Sequence, residues 1–171
     1  SMDIIQMSIT FCAKLLIGDN MKKCVFCQIV SGEIKCHRIY EDRKHIAFLD
    51  INPNTEGMAI VITKKHFDSY IFDMPQKDYQ ELFKAVRKVI KGLDRALKVK
   101  RTAIVMEGMG INHVHVKLYP LHGIDKKFVE MWAKKKVYMK KYNGFITTQL
   151  GPRADDKTLA ALASKIRKSM R

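Results

Sequence analysis

The stretch Asn112-His113-Val114-His115-Val116-Lys117-Leu118-Tyr119 decides how this chain is read. Successive side chains of a β-strand point to opposite faces, so His113, His115, Lys117 and Tyr119 share one face and Val114, Val116 and Leu118 the other. The apolar face calls for a core against it. On the polar face two imidazoles and an ammonium point the same way, and three readings are open. The face is polar surface in solvent, or a metal site built from neutral imidazoles, or a nucleophilic centre in which an imidazole attacks phosphorus to form a phosphoramidate. Gly108-Met109-Gly110 just upstream favours the third, because glycines let backbone N–H groups approach a phosphate.

Outward from this strand, residues 102–107 (TAIVME) read as its neighbour across the glycine turn. Residues 39–51 (IYEDRKHIAFLDI) read as a hairpin around Glu41-Asp42-Arg43-Lys44, closed by Asn52-Pro53-Asn54, and residues 58–63 (MAIVIT) as a buried strand. Between these strands Tyr79, Leu82, Phe83, Val86, Val89, Ile90, Leu93 and Leu97 recur at steps of three and four, which predicts a long amphipathic helix. Asp73-Met74-Pro75-Gln76 supplies its start, with Asp73 as N-cap, proline in the first turn and glutamine three residues after the cap. Antiparallel strands with one long helix laid on a face predict an α+β fold.

The chain has 171 residues, 32 Lys and Arg against 17 Asp and Glu, and a net charge of +15. That length suits one core, and the 47% hydrophobic content argues against disorder. No stretch approaches the ~20 apolar residues that cross a bilayer, so no membrane is expected as partner. The charge points to an anionic partner, yet residues 123–171 carry 13 Lys and Arg against 4 acids and so hold +9 of the excess. The four cysteines, at 12, 24, 27 and 36, are too lopsided for a disulfide framework, which predicts a reducing, cytoplasmic location. Cys24 and Cys27 form a C-x-x-C pair, and Cys12 and Cys36 read as buried thiols. Residues 1–20 lack a signal-peptide pattern and read as an N-terminal extension, 21–123 as the core unit and 124–171 as a basic extension packed on the same domain. In that extension a helix around 128–142, a strand at 144–150 and a closing helix from about 155 to 170 are expected. His37, His45 and His122 are expected at the surface.

The ordered blocks CVFCQIVSGEI (24–34), RIYEDRKHIAFLDINP (38–53), GMAIVITKKHF (57–67), the long helix and HVHVKLYPL (113–121) resemble the histidine triad (HIT) superfamily of nucleotide hydrolases and transferases. The resemblance covers about 100 of the 171 residues. It implies a half-barrel-like antiparallel sheet with one long helix, commonly in a homodimer. It also implies a phosphoanhydride or phosphoramidate hydrolase, or a nucleotidyltransferase, acting on a dinucleoside polyphosphate or a nucleoside monophosphate conjugate. His115 matches the nucleophile that is nucleotidylated at the α-phosphate, with its other ring nitrogen donating to a backbone carbonyl. His113 matches the first, orienting histidine. Lys117 stands where most relatives have the third histidine; a lysine, with an ordinary pKa of about 10.4, stabilises phosphate charge but is a poor reversible acid-base at pH 7.

By the same resemblance Asp50 matches the carboxylate that accepts both ribose hydroxyls, and Phe26, Ile29, Phe48 and Ile51 line the purine pocket. Gly108 and Gly110 contribute phosphate-contacting backbone. The loop before the first histidine is shorter than in many relatives, and Asn112 is the substitute for their phosphate-contacting side chain. Cys24, Cys27, His66 and His113 match the structural zinc ligands of metal-bearing branches, a closed four-ligand set that holds the fold and activates no water. The rival reading is a nucleotide- or nucleic-acid-binding relative with weak or no catalysis. It draws on Lys134-Lys135-Lys136, Trp132, Tyr138, Lys140-Lys141 and Tyr142, where cations and aromatics interleave as on nucleic-acid surfaces.

Overall fold

The computed structural model describes residues 24–124, 138, 140–142 and 152–170. The expected extension at 1–20, Cys12, the strand at 144–150 and most of the helix expected at 128–142 lie outside the described residues. Within them the chain runs α1 (Val25–Ser31), β1 (Arg38–Glu41), β2 (His45–Leu49), β3 (Ala59–Thr63), a 3-10 turn (Ile71–Asp73), α2 (Gln76–Leu97), β4 (Thr102–Val105), β5 (His115–Pro120) and α3 (Asp156–Ser169). The five strands form one sheet in the order β1-β2-β3-β5-β4, every neighbouring pair antiparallel. The α+β expectation holds.

Strand alternation divides the core in two. Ala47, Leu49, Ala59, Val61, Val116 and Leu118 face the main core, where Leu82, Val86, Val89 and Leu93 of α2 meet them. Ile46, Phe48, Ile60 and Ile62 face the other way, under Phe26, Cys27 and Ile29 of α1. Both faces of β2 and β3 are therefore covered, which is why all five residues of each are buried.

The start of α2 differs from the sequence expectation. Asp73 belongs to the preceding 3-10 turn, and the N-cap position is Pro75, with no side-chain cap. Proline drives the residue before it out of the helical region, and Met74 accordingly sits at ψ 147°, so the helix starts only after Pro75. Helix α3 matches its expected limits. Asp155 is its N-cap, accepting from the Thr158 N–H at 2.8 Å. Leu159, Ala163 and Ile166 form its buried stripe and join the main core. Its end closes on α2 at Gly92, where a β-carbon would collide with the Met170 side chain.

His45 is not at the surface. It is 4% exposed and donates through Nδ1 to Asp42 at 3.0 Å, because β2 turns it inward at the mouth of the β1–β2 hairpin. His37 is half-buried against Asp156 at 2.9 Å, and His122 is exposed, donating to the Glu56 carbonyl.

Candidate active site and metal-ligand cluster

The antiparallel registers fix which side chains meet. Ile60 pairs with Lys117 and Ile62 with His115, so these two β5 residues lie on the same face as the α1 cluster. His113 precedes the strand, and the Val114 N–H donates to the Phe67 carbonyl. Phe26 reaches across from α1 and meets both rings edge-on, at centroid distances of 5.8 Å for His113 and 5.5 Å for His115. His113 is 0% and His115 4% exposed, which excludes a solvent-facing polar surface.

His115 donates from Nδ1 to the His113 carbonyl at 2.8 Å. That bond fixes the tautomer and leaves Nε2 with its lone pair. Burial pulls the His115 imidazole below its ordinary value, opposed by the His113 carbonyl and reinforced by the Lys117 charge. The ring is therefore neutral at pH 7. Lys117 Nζ lies 3.4 Å from Glu107 Oε1, with both side chains largely buried.

Glu107 was not singled out as a site residue in the sequence. The β4–β5 ladder ends at Val105, opposite Lys117, and Glu107, two residues further on, reaches the Lys117 side chain with its carboxylate. Tyr119 follows Lys117 on that face, and Asp50, whose N–H donates to the Met58 carbonyl next to it, sits at the same end of the sheet. Asp50 accepts from the Asn52 N–H at 2.8 Å. Phe26, Ile29 and Phe48 are buried together, whereas Ile51 is 47% exposed and stands outside their cluster.

The glycine loop is braced from below. Gly108 has φ +69°, and a β-carbon there would lie 3.0 Å from the Ser69 carbonyl, whose side chain also donates to the Gly108 carbonyl. The Asn112 amide is engaged in the same brace, accepting from the Ser69 N–H at 2.9 Å and donating to Asp68 at 2.8 Å. Gly110 has open space beside it. A cleft of about 270 Å³ lined by Tyr40, Arg43, Lys44, His45, Lys84 and Lys88 opens at the β1–β2 turn, on the other face of the sheet from His115.

Behind His115 four possible ligand atoms converge. One ligand atom each from Cys24, Cys27, His66 and His113 lie within 4.8 Å of one another. Cys24 Sγ is 3.5 Å and Cys27 Sγ 3.6 Å from His113 Nδ1, and Cys27 Sγ is 3.3 Å from His66 Nδ1. With metal bonds of about 2.3 Å to sulfur and about 2.0 Å to nitrogen, a tetrahedral zinc site sets its ligand atoms roughly 3.5 Å apart. His113 donates from Nε2 to the Thr63 carbonyl at 2.8 Å, which turns the Nδ1 lone pair toward the sulfurs. Burial drives the His113 imidazole down to about 4, so it is neutral, as a ligand must be. Burial and the adjacent Cys24 push the Cys27 thiol up to about 12, a proton that metal binding would displace. The donor set fits a closed structural zinc.

A HIT domain family model matches residues 31–124. An uncharacterized HIT-like protein of Methanocaldococcus jannaschii is 34% identical over 119 residues, 67% of this chain and 91% of that protein. The adenosine 5'-monophosphoramidase of Schizosaccharomyces pombe is 31% identical over 98 residues, 57% of this chain and 73% of that protein. Among solved structures, a hypothetical histidine triad nucleotide-binding protein of Sulfolobus tokodaii aligns with a TM-score of 0.68 at 27% identity, covering 86% of this chain and 91% of that one.

Proposed function

The chain belongs to the HIT family, and from that premise we propose that it is a nucleotide hydrolase or nucleotidyltransferase working through a covalent nucleotidyl-His115. The observation that carries this reading is the 2.8 Å bond from His115 Nδ1 to the His113 carbonyl inside a buried, neutral site. It leaves Nε2 able to attack an α-phosphorus. The bond from phosphorus to the leaving group breaks as the phosphorus–nitrogen bond forms, and the leaving group takes the electron pair. Water, or another acceptor such as phosphate, then attacks phosphorus, and the electron pair of the phosphorus–nitrogen bond returns to Nε2.

The remaining roles follow from position. Lys117 stabilises the charge that develops on the phosphoryl oxygens. Phe26, Ile29 and Phe48 provide the apolar wall for a purine, with Ile51 at its exposed rim, and Asp50 accepts from the ribose. Gly108 and Gly110 bring backbone toward the phosphate, and Asn112 serves by holding that loop on Ser69 and Asp68. Cys24, Cys27, His66 and His113 would hold a structural zinc, which when bound ties the start of α1 to the residues leading into β5. Thiolate ligands suit a reducing compartment. β4 is an edge strand with Ile104 41% exposed, which supports a homodimer built on that edge.

Incubation with an adenylated alkylamine and with a dinucleoside tetraphosphate, with and without inorganic phosphate, tests the reading. Turnover and a mass increase of one nucleotidyl group that maps to His115 are expected. Failure of every substrate, with no adduct, removes the enzymatic claim.

The second reading, a binding protein with little catalysis, is favoured by the charge of residues 123–171. Tyr138 is 87% exposed, and Lys140 and Lys141 are exposed beside it. Oligonucleotide binding that falls steeply with salt and disappears when the lysines of 134–141 are neutralised, without turnover, would support it. No helix among the described residues is long and apolar enough to cross a membrane.

A further inference from the structure

The cleft at the β1–β2 turn lies on the face of the sheet that α2 covers, away from His115, and the reaction proposed there makes no use of it. Arg43, Lys44, Lys84 and Lys88 line it against two acids, Asp42 and Glu81. Both acids are already engaged. Glu81 and Asp78 hold Lys44. Asp42 accepts from the Lys44 N–H at 2.8 Å, the His45 N–H at 2.7 Å and the Tyr40 hydroxyl at 2.8 Å. Arg43, Lys84 and Lys88 are exposed and pair with no acid among the described residues. An anion entering the cleft therefore meets three uncommitted cations.

Exposed lysines alone make an ordinary solvated surface. The ring beneath them does not. His45 is 4% exposed and shares a face of β2 with the core residues Ala47 and Leu49, so it forms the base of the cleft while the cations stand at its rim. Its Nδ1 donates to Asp42 at 3.0 Å, which fixes the ring and leaves Nε2 as the nitrogen free for a ligand. The unpartnered side-chain atoms that are closed to solvent among the described residues are Glu107 Oε2 and Tyr119 Oη, so His45 Nε2 is open to what enters the cleft. When neutral it accepts from a P–OH, and when protonated it donates to a phosphoryl oxygen, so it can bond a phosphate in either state.

A second cleft, of about 220 Å³, shares Arg43, Lys44 and His45 with the first and adds Lys64 and Lys65. Each lobe is smaller than the roughly 300–1,000 Å³ of pockets that enclose organic ligands. Two small lobes meeting at the same cations and the same imidazole suit a compact anion with two charged ends. The site lies at the β1 edge, the opposite edge of the sheet from β4, so a dimer built on β4 leaves it open. We propose that this cleft is a second anion site that takes a diphosphate group: His45 Nε2 bonds a phosphoryl oxygen at its base, and Arg43, Lys84 and Lys88 neutralise the charge at its rim. The inference stands apart from the chemistry at His115.

The test titrates inorganic pyrophosphate into the full chain at fixed ionic strength, with calorimetry for affinity and the ring-nitrogen NMR signals of His45 for location. The wild type is expected to bind, with the His45 signals shifting as it does. Lys84→Gln with Lys88→Gln is expected to weaken binding by roughly tenfold or more. Lys77→Gln with Lys91→Gln removes the same charge from exposed positions of α2 that do not line the cleft, and is expected to change affinity by less than about threefold. Lys117→Gln, on the other face, is expected to leave affinity unchanged. His45→Phe is expected to weaken binding as the cleft lysines do, and those lysine variants stand in should it fold poorly. ADP in the same NMR titration separates the two sources of a diphosphate: a His45 shift with ADP assigns a nucleotide-borne group, and a shift with pyrophosphate alone assigns the free ion. No shift with either, equal loss in both lysine pairs, or loss in Lys117→Gln overturns the inference.

Discussion

The His115 imidazole is held by one main-chain acceptor, and the chemistry proposed for it depends on the free Nε2. His115→Ala is expected to abolish nucleotidylation and turnover and, because the ring is 4% exposed and bonded to the His113 carbonyl, also to lower the melting temperature. Intact-mass analysis after substrate mixing and a thermal melt check the two halves of that statement. Lys117→His is the more informative change, because a histidine titrates near neutrality and exchanges protons with a leaving group or a water where a lysine does not. It is expected to raise the hydrolytic release of nucleotide from His115 by roughly 10²-fold, the lower range of general acid–base effects, read as single-turnover decay of the adduct. Equal decay in both proteins would show that Lys117 does not limit that step.

At the scale of the elements, local patterns carried well where the deciding contacts are local or periodic. The stripe from Tyr79 to Leu97 marked α2, alternation in β5 separated the two faces, and the closing helix read from about 155 to 170 matches α3 within a residue or two. What stayed illegible depended on competition or on distance along the chain. Pro75 overrode Asp73 as the start of α2, through a steric restriction on Met74. Glu107 meets Lys117 only through the register of two strands, and His45 looked like a surface residue until Asp42 and the hairpin enclosed it.

That hairpin also predicts a pH dependence. Burial works against the Asp42 carboxylate, but bonds from the Lys44 and His45 backbone, the Tyr40 hydroxyl and the His45 ring hold it at about 2. A folded-state value below the unfolded one means that this stabilisation is fully present above about pH 4, the ordinary aspartate value, and is lost as pH falls toward 2. Asp42→Asn is expected to lower stability near neutral pH and to flatten the decline between pH 4 and 2, as followed by urea denaturation at a series of pH values. Asp155→Ala removes a cap and is expected to cost about 1 kcal/mol, measurable by the same method.

For the molecule as a whole, the family segment and the folding unit are not the same. The HIT match ends at 124, yet Leu159, Ala163 and Ile166 complete the core that α2 and the sheet begin. Burying a leucine or an isoleucine is worth roughly 1.5–3 kcal/mol each. A chain ending at residue 124 is therefore expected to lose several kcal/mol and to unfold at clearly lower urea than the full chain. The proposed zinc couples distant parts in the same way, joining the start of α1 to residues 66 and 113. Elemental analysis is expected to find one zinc per chain, and a strong chelator is expected to lower the melting temperature, whereas Cys24→Ser with Cys27→Ser should melt low with or without chelator.

His113 contributes its ring to the metal-ligand cluster and its carbonyl to the nucleophile, and these two contributions have different fates under mutation. Any amino acid at 113 still brings a carbonyl, so the signal that orients the His115 ring is written into the main chain and survives substitution. The ligand role is written only into a side chain. Codon changes at 113 would therefore remove a ligand of the proposed zinc while leaving a main-chain carbonyl at the place from which it orients the His115 ring.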